Sequence, residues 1–363
     1  MRERTTQLKI KGPVKIVGCG LIGTSIALRL KEAGFELILD DKNKENLDLA
    51  SDLLEIKEVT SQPQMVLIAV PPRNVFEVAK TNFFSHPDAI FIDVSGIKSN
   101  LMMQVDGLSD LSKKYVSVHP MAGRETSGPQ SARSDLFKSR AWIISQTSNS
   151  SVESVNIARE LGELIGSTIY ELDAKTHDSV IASISHLPQI LSSALGASLN
   201  DVGVSELNLA GQGLRDVSRL ADSDPNLWTD LLIENSSEIV PKISEVINRL
   251  SKLKSAIESR DESSVQSFLA EGRSGRNKIP GKHGLAKRDY TYLPIVIDDK
   301  PGGLARIFNE CAAIDVNIED LTMEHSPGQA VGLITLALTS QDALKLQKHL
   351  VSKGWLAHAP RKG

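Results

Sequence analysis

The sequence predicts an α/β protein in three parts: a doubly wound parallel sheet, an all-helical middle and a small α/β module after it. Three observations carry this. Short, nearly continuous apolar runs alternate with helical patterns over residues 10–172; such runs are missing from 173–272; and they return over 289–363 in the order β-α-β-β-α.

In the first part VKIVG, ELILD, MVLIAV and AIFIDV are β-type runs with no polar alternation, as expected of parallel strands buried on both faces. KYVSVH, AWIIS and STIYEL extend the series. Between the first two runs Ile22, Ile26, Leu30 and Ala33 recur at helical spacing.

From Asp173 the run AKTHDSVIASISHLPQILSSALGASL reads as one long helix, apolar through Val180, Ile181, Ile184, Leu187, Leu191 and Leu195 and bent at Pro188. A second long helical region begins at SDPNLW, with Ser223 and Asp224 able to cap it, Pro225 suited to its first turn and Pro241 able to kink it. Faces this long are usually buried helix on helix, often between subunits, so 173–272 is expected to make a homodimer. The basic, glycine-bearing stretch 273–288 reads as a linker. In the last part YLPIVID, GLARIFNECAA, VNIEDLTME, AVGLITLAL and DALKLQKHLVSK follow in ferredoxin-like order, with WLAHA as a possible last strand.

At 363 residues the chain exceeds one ordinary core, and 40% hydrophobic with 24% charged residues is the balance of a soluble globular protein. A net charge of −4 argues against a general nucleic-acid or anionic-membrane binder. MRERTTQLKIKGP carries charge with no apolar segment behind it, so no secretory signal is expected, and no apolar run is read as long enough to cross a bilayer. Cys19 and Cys311 are the only cysteines, with no metal or redox spacing. No metal is expected, and a cytoplasmic home is.

Gly18-Cys-Gly20-Leu-Ile-Gly23 follows the first strand and opens the first helix. Gly18 permits the tight turn, Gly20 lets the backbone approach a pyrophosphate, and Gly23 lets helix and strand pack closely. The amides of Leu21, Ile22 and Gly23 would then face the phosphates. Asp40-Asp41 ends the second strand about 20 residues on, where a carboxylate binds ribose hydroxyls. Asp41 is favoured, and with it NAD over NADP, although Lys42 and Lys44 lie close. This is a Rossmann-type signature.

His119 ends a later strand, where open α/β sheets bind ligands, and a neutral imidazole suits removal of an alcohol proton. Taken alone, a strand-end histidine is more often structural, and so are His177 and His186 on the long helix. Arg215 and Arg219 lie four apart, the spacing of a shared helix face; by spacing alone a solvated basic face is the plainer reading.

Five motifs change those odds. GCGLIG, HPMAGRETSG with SARSDLF, HDSVIASISHLP, GLRDVSRLADSDPNLW and PGKHG stand in the order found in the prephenate/arogenate dehydrogenases of tyrosine biosynthesis, which the chain resembles over nearly its whole length. The resemblance implies NAD-dependent oxidative decarboxylation of prephenate, with His119 as the catalytic histidine and Arg219 as the carboxylate-binding arginine. It also implies substrate contacts from Arg215, His186 and Gln189. Two positions depart from the family. Gly96 stands where a serine is usual, so the contact with the substrate hydroxyl is assigned to Ser95, with a water as the alternative. Gln189 stands where many prephenate-specific members have histidine, which leaves arogenate as the alternative substrate. The roles of Lys98 and Glu125, ligand contact or scaffold, stay open. The C-terminal DDKPGGLARIFNECAAIDVNIEDLTMEHSPG resembles an ACT domain, implying tyrosine as an effector held near Asp299, Gly302 and Asn317. Rivals are a β-hydroxyacid or imine dehydrogenase, and a non-catalytic amino-acid sensor on a retained dinucleotide fold.

Overall fold

A computed structural model of the chain describes residues 8–122, 128–279, 290–298, 300–324 and 331–362. It forms two compact units, Met1–Ser251 and Lys252–Gly363.

The first unit holds all seven anticipated strands: β1 (Val14–Val17), β2 (Leu37–Asp40), β3 (Met65–Ile68), β4 (Ile90–Asp93), β5 (Tyr115–Pro120), β6 (Ala141–Gln146) and β7 (Thr168–Glu171). Their order is β2-β1-β3-β4-β5-β6-β7. Central β3 is buried at every position, because its successive side chains feed two different cores. Ile16, Leu67, Ile92 and Val118 enter one, and Val66, Ile68, Phe91 and Tyr115 the other. That two-sided burial is why these strands lack alternation.

The sheet is not wholly parallel, as the sequence had implied. β5 and β6 pair antiparallel, His119 opposite Ile143, while the other neighbours are parallel. A parallel return needs a long crossover, usually a helix. Among its described residues the 121–140 connection holds only the short turn Pro129–Ser131. β1, β3, β4 and β5 still run the same way, so Gly18, Val94 and Pro120 come out on one edge of the sheet.

The run after Asp173 is helical from Ala174 to Ser198, but it passes through a wider π turn at Ala182–His186. Pro188 has no N–H to return to the preceding turn; in the wider turn Leu187 N–H reaches back to Ala182 and the proline starts a fresh helix. The expected apolar core of this run is mostly outside. Val180, Ile184 and Leu191 are 37%, 60% and 43% exposed, whereas His177, Asp178, His186, Gln189 and Ser192 are buried beside Ile181. The helix turns its polar stripe inward. By length and composition Ala174–Asp201 is long and apolar enough to cross a membrane, against expectation, but its inward polar groups are tied into the fold by hydrogen bonds.

The next helical region divides at Asn235 into Pro225–Glu234 and Ser236–Glu258. Asp224 caps the first through Asn226 N–H at 2.9 Å, with Pro225 in its first turn as expected. Pro241 lies within the second helix, and the break falls at Asn235 instead.

In the second unit, helix Glu262–Asn277 runs five residues into the stretch read as a linker. Then come β8 (Thr291–Asp298), helix Gly303–Ala313, β9 (Asp320–Glu324), β10 (Val331–Leu338), helix Ser340–Ser352, β11 (Leu356–Ala357) and β12 (Arg361–Lys362). The order β11-β8-β10-β9, all antiparallel, is the 4-1-3-2 arrangement of a ferredoxin-like module. One face of β8, through Leu293, Ile295 and Ile297, packs with Ile307 and Leu346 from the two helices.

Candidate active site

The glycine turn has the form a dinucleotide needs. Gly18 sits at φ +102°, and a Cβ there would fall 2.4 Å from the Ala69 carbonyl. A Cβ on Gly23 would meet the Gly18 carbonyl at 2.0 Å, whereas over Gly20 the space is open. The helix Leu21–Glu32 has no side-chain cap and no acidic residue in its first turn, which leaves its leading amides for an anion. The two aspartates separate cleanly. Asp40 pairs with Lys15 at 3.0 Å; Asp41 accepts from the amides of Cys19, at 2.6 Å, and Asn43, at 2.8 Å, against the glycine turn itself. That position fits a ribose ligand. Lys44 is engaged by Asp48 at 2.7 Å. Asp41→Ala should raise the Kd for NAD about tenfold or more, the worth of charge-assisted hydrogen bonds; titration by NADH fluorescence reads it, and an unchanged Kd removes Asp41 from the site. Cys19 is inert: burial, with Asp41 and Asp40 nearby, pushes its thiol up to about 12.

On the same sheet edge, His119 Nδ1 lies 2.9 Å from His177 Nε2, and His177 Nδ1 lies 2.8 Å from Asp178 Oδ1. Asp178 also accepts from the amides of Lys98, at 2.9 Å, and Ser99, at 2.7 Å. The other edge of the His119 ring faces Gly96: a Cβ there would lie 3.7 Å from its Cε1 and Nε2, and 3.0 Å from Leu231 Cδ2. Lys98 is fully buried behind the base, donating to Ser95 O at 2.6 Å, Ser117 Oγ at 2.6 Å and Val118 O at 2.7 Å. Its Nζ is 3.7 Å from Asp93, which accepts from Tyr115 OH at 2.8 Å and Ser95 N–H at 2.8 Å. Lys98 therefore ties the end of β4 to the end of β5.

Burial holds the His119 imidazole well below its ordinary range, and Lys98, His177 and His186 push the same way. His119 must be neutral to accept a proton, and a lowered pKa keeps it neutral further into acid. The acid limb of kcat/KM is thus expected below pH ~6.5, not at it. A pH–rate profile whose acid limb sits above neutrality would contradict this.

The helical segment supplies a second histidine in the opposite state. Asn235 Nδ2 donates to Asp178 O at 3.0 Å and faces His186 Nδ1 at 3.1 Å, which makes that nitrogen the acceptor. His186, whose pKa burial lowers to about 4, is then a neutral ring carrying its proton on Nε2, a donor. Its ring meets Trp228 edge to face at 5.9 Å. Gln189 donates to Leu220 O at 2.7 Å and its Oε1 accepts from Ser223 Oγ at 3.4 Å. The amide thus bonds at the turn Arg219–Asp222 and at Ser223 just after it, and both of its ends are engaged. Arg219 opens that turn and is exposed; Arg215, also exposed, reaches Ala210 O at 3.4 Å.

Comparison with known proteins decides the family. Residues 26–171 match the model "Prephenate dehydrogenase, nucleotide-binding domain" and residues 173–271 the model "Prephenate dehydrogenase, dimerization domain". The chain belongs to the prephenate dehydrogenase family. A probable prephenate dehydrogenase, NovF, of Streptomyces niveus is 27% identical over 95% of this chain and 99% of its own. The crystal structure of prephenate dehydrogenase from A. aeolicus with hydroxyphenyl propionate and NAD+ superposes at TM-score 0.69, with 28% identity, over 76% of this chain and all of that one. Synechocystis arogenate dehydrogenase superposes at TM-score 0.61 with 25% identity, over 73% and 99%.

Within this prephenate dehydrogenase family framework, some assigned residues fall differently. The Ser95 hydroxyl donates to Ile97 O at 3.1 Å and accepts from Ile97 N–H at 3.3 Å. It is spent on the turn, and the position beside His119 belongs to Gly96 and Leu231. Asn317 Nδ2 bonds Glu319 at 3.1 Å. Asp299, Arg124, Glu125 and the PGKHG motif lie outside the described residues. Asp178, Asn235 and Leu231 were missed as site residues. The adjacent His-Asp of HDSV was the available signal for the first; the others had none, because only the fold brings Asn235 to Asp178 and His186, and Leu231 to Gly96.

Proposed function

We propose that the chain is an NAD-dependent prephenate dehydrogenase, converting prephenate to 4-hydroxyphenylpyruvate and carbon dioxide in tyrosine biosynthesis. The observation that carries this reading is His119: a neutral imidazole on the sheet edge that bears the glycine turn, with its Nε2 edge left to the space beside Gly96. Gly18, Gly20 and the amides of Leu21, Ile22 and Gly23 would hold the pyrophosphate, with Asp41 on the ribose. NAD bound there supplies the hydride acceptor. His119 Nε2 takes the proton of the ring hydroxyl. Leu231 and Trp228 exclude water, and His186 Nε2–H offers a donor to an anionic or carbonyl oxygen. Arg219 holds the ring carboxylate, a task for which a guanidinium fork is well shaped. Arg219→Ala should raise KM for prephenate about tenfold or more with a smaller effect on kcat; an unchanged KM would move the carboxylate site elsewhere.

Arogenate is the second reading, favoured by the Synechocystis neighbour. NADH formation by the purified enzyme with each substrate separates the two, and no NADH with either leaves the non-catalytic sensor. The exposed stripe Val180, Ile184 and Leu191, within the match to a dimerization domain, supports a homodimer. Two free, buried cysteines suit a reducing cytoplasm. We read the 4-1-3-2 module as an ACT domain whose turn at Gly302, φ +83°, together with Asn317 would take tyrosine. Added tyrosine should then inhibit NADH formation.

A further inference from the structure

We propose that His177 and Asp178 are a positioning pair that fixes which nitrogen of His119 carries the proton, holding Nε2 bare for the substrate; this rests on the dehydrogenase reading above. Amide N–H groups can only donate, so Lys98 and Ser99 oblige the Asp178 side chain to accept, Oδ1 from Lys98 and Oδ2 from Ser99. Burial alone would raise this carboxyl, but hydrogen bonds from His177 and Ser99 outweigh it and hold it low, so it is ionised. An acceptor-only carboxylate at 2.8 Å makes Nδ1 the protonated nitrogen of His177. Burial keeps His177 neutral against the pull of Asp178, so its Nε2 is unprotonated. That nitrogen, 2.9 Å from His119 Nδ1, can only accept. His119 therefore spends its single proton on Nδ1.

An imidazole without such a partner is free to carry its proton on Nε2, where it cannot accept another. The charged and titratable groups facing His119 are Lys98, His177 and His186; none of the other two contacts its Nδ1 in place of His177. The pair also crosses a boundary. His119, Lys98 and Ser99 fall within the nucleotide-binding match, His177 and Asp178 within the dimerization match. The base of one domain is thus set by the docking of the other. Locally this needs only that Asp173 cap the helix Ala174–Ile181 through Thr176 N–H, at 3.0 Å, which presents His177 and Asp178 in its first turns.

The test uses the full-length protein. His177→Leu removes the acceptor, while His177→Gln keeps an amide oxygen able to accept. We expect His177→Leu to lower kcat about 10²-fold or more, with KM and NAD affinity within about threefold, and His177→Gln to recover at least about tenfold of that loss. Imidazole ¹⁵N shifts, assigned to His119 through His119→Asn, should show wild-type Nε2 unprotonated and, in His177→Leu, a population with the proton on Nε2. Wild-type kcat in His177→Leu, no recovery in His177→Gln, or a protonated Nε2 in the wild type would each overturn the proposal. The shifts are read without substrate, so a wild type that oxidises neither prephenate nor arogenate sinks the dehydrogenase reading while the tautomer question is still answered.

Discussion

His119→Asn will lower kcat about 10²–10⁴-fold, the range for loss of a general base, while the Kd for NAD stays where it was. Both halves of that expectation have structural grounds. His119 is one residue from the end of β5, in the antiparallel pairing with β6, and among the described residues its ring bonds the side chain of His177. Asparagine can occupy the strand and still donate to His177, but it has no basic nitrogen to offer a hydroxyl. The glycine turn after β1 and Asp41 make no bond to His119, so they should be undisturbed. Steady-state NADH absorbance at saturating substrate gives kcat, and NADH fluorescence gives the affinity. A variant that keeps a tenth of wild-type turnover would mean that another group takes the proton.

Lys98→Met should destabilise the fold by about 3–5 kcal/mol, the usual cost of breaking a buried ion pair by removing one partner. All three protons of this fully buried ammonium have acceptors, two carbonyls and one hydroxyl. Methionine fills much of the volume and satisfies none of them, and Asp93 is left with only Tyr115 OH and the Ser95 amide. Burial lowers the Lys98 ammonium below its usual range, with Asp93 and Asp178 opposing the shift. Denaturant midpoints at constant m would read the loss. A change under about 1 kcal/mol would show that the lysine is neutral or that the pocket rearranges around methionine.

Much of the fold could be read ahead of the structure, because parallel strands announce themselves as unbroken apolar runs and the C-terminal module by its element order. The direction of β6 could not: it depends on the 121–140 connection, whose described residues hold no long crossover helix, and not on β6 itself. The long helix misled for a different reason. Val180, Ile184 and Leu191 look like a core stripe, yet it is the polar stripe, His177, Asp178, His186 and Gln189, that folds inside, its side chains met by hydrogen bonds. The candidate site was legible where a motif is local: Gly18, Gly20, Gly23 and Asp41 form one turn, and His119 ends β5. It was hidden where partners meet only through folding: Asp178 with the amides of Lys98 and Ser99, Asn235 with His186, Leu231 with Gly96. Ser95 was assigned by proximity in sequence to a vacancy that its own turn prevents it from filling.

The outward apolar stripe of Ala174–Ser198 has its own implication. A chain whose greasiest helix face points away from its own interior keeps part of its hydrophobic free energy in reserve until a second copy arrives. If that copy is the cover, dilution removes it by mass action, and the lone subunit loses both solubility and the backing for the helix that carries His177. Heat resistance would then be a property of the solution as much as of the molecule, rising with the amount of protein in the tube.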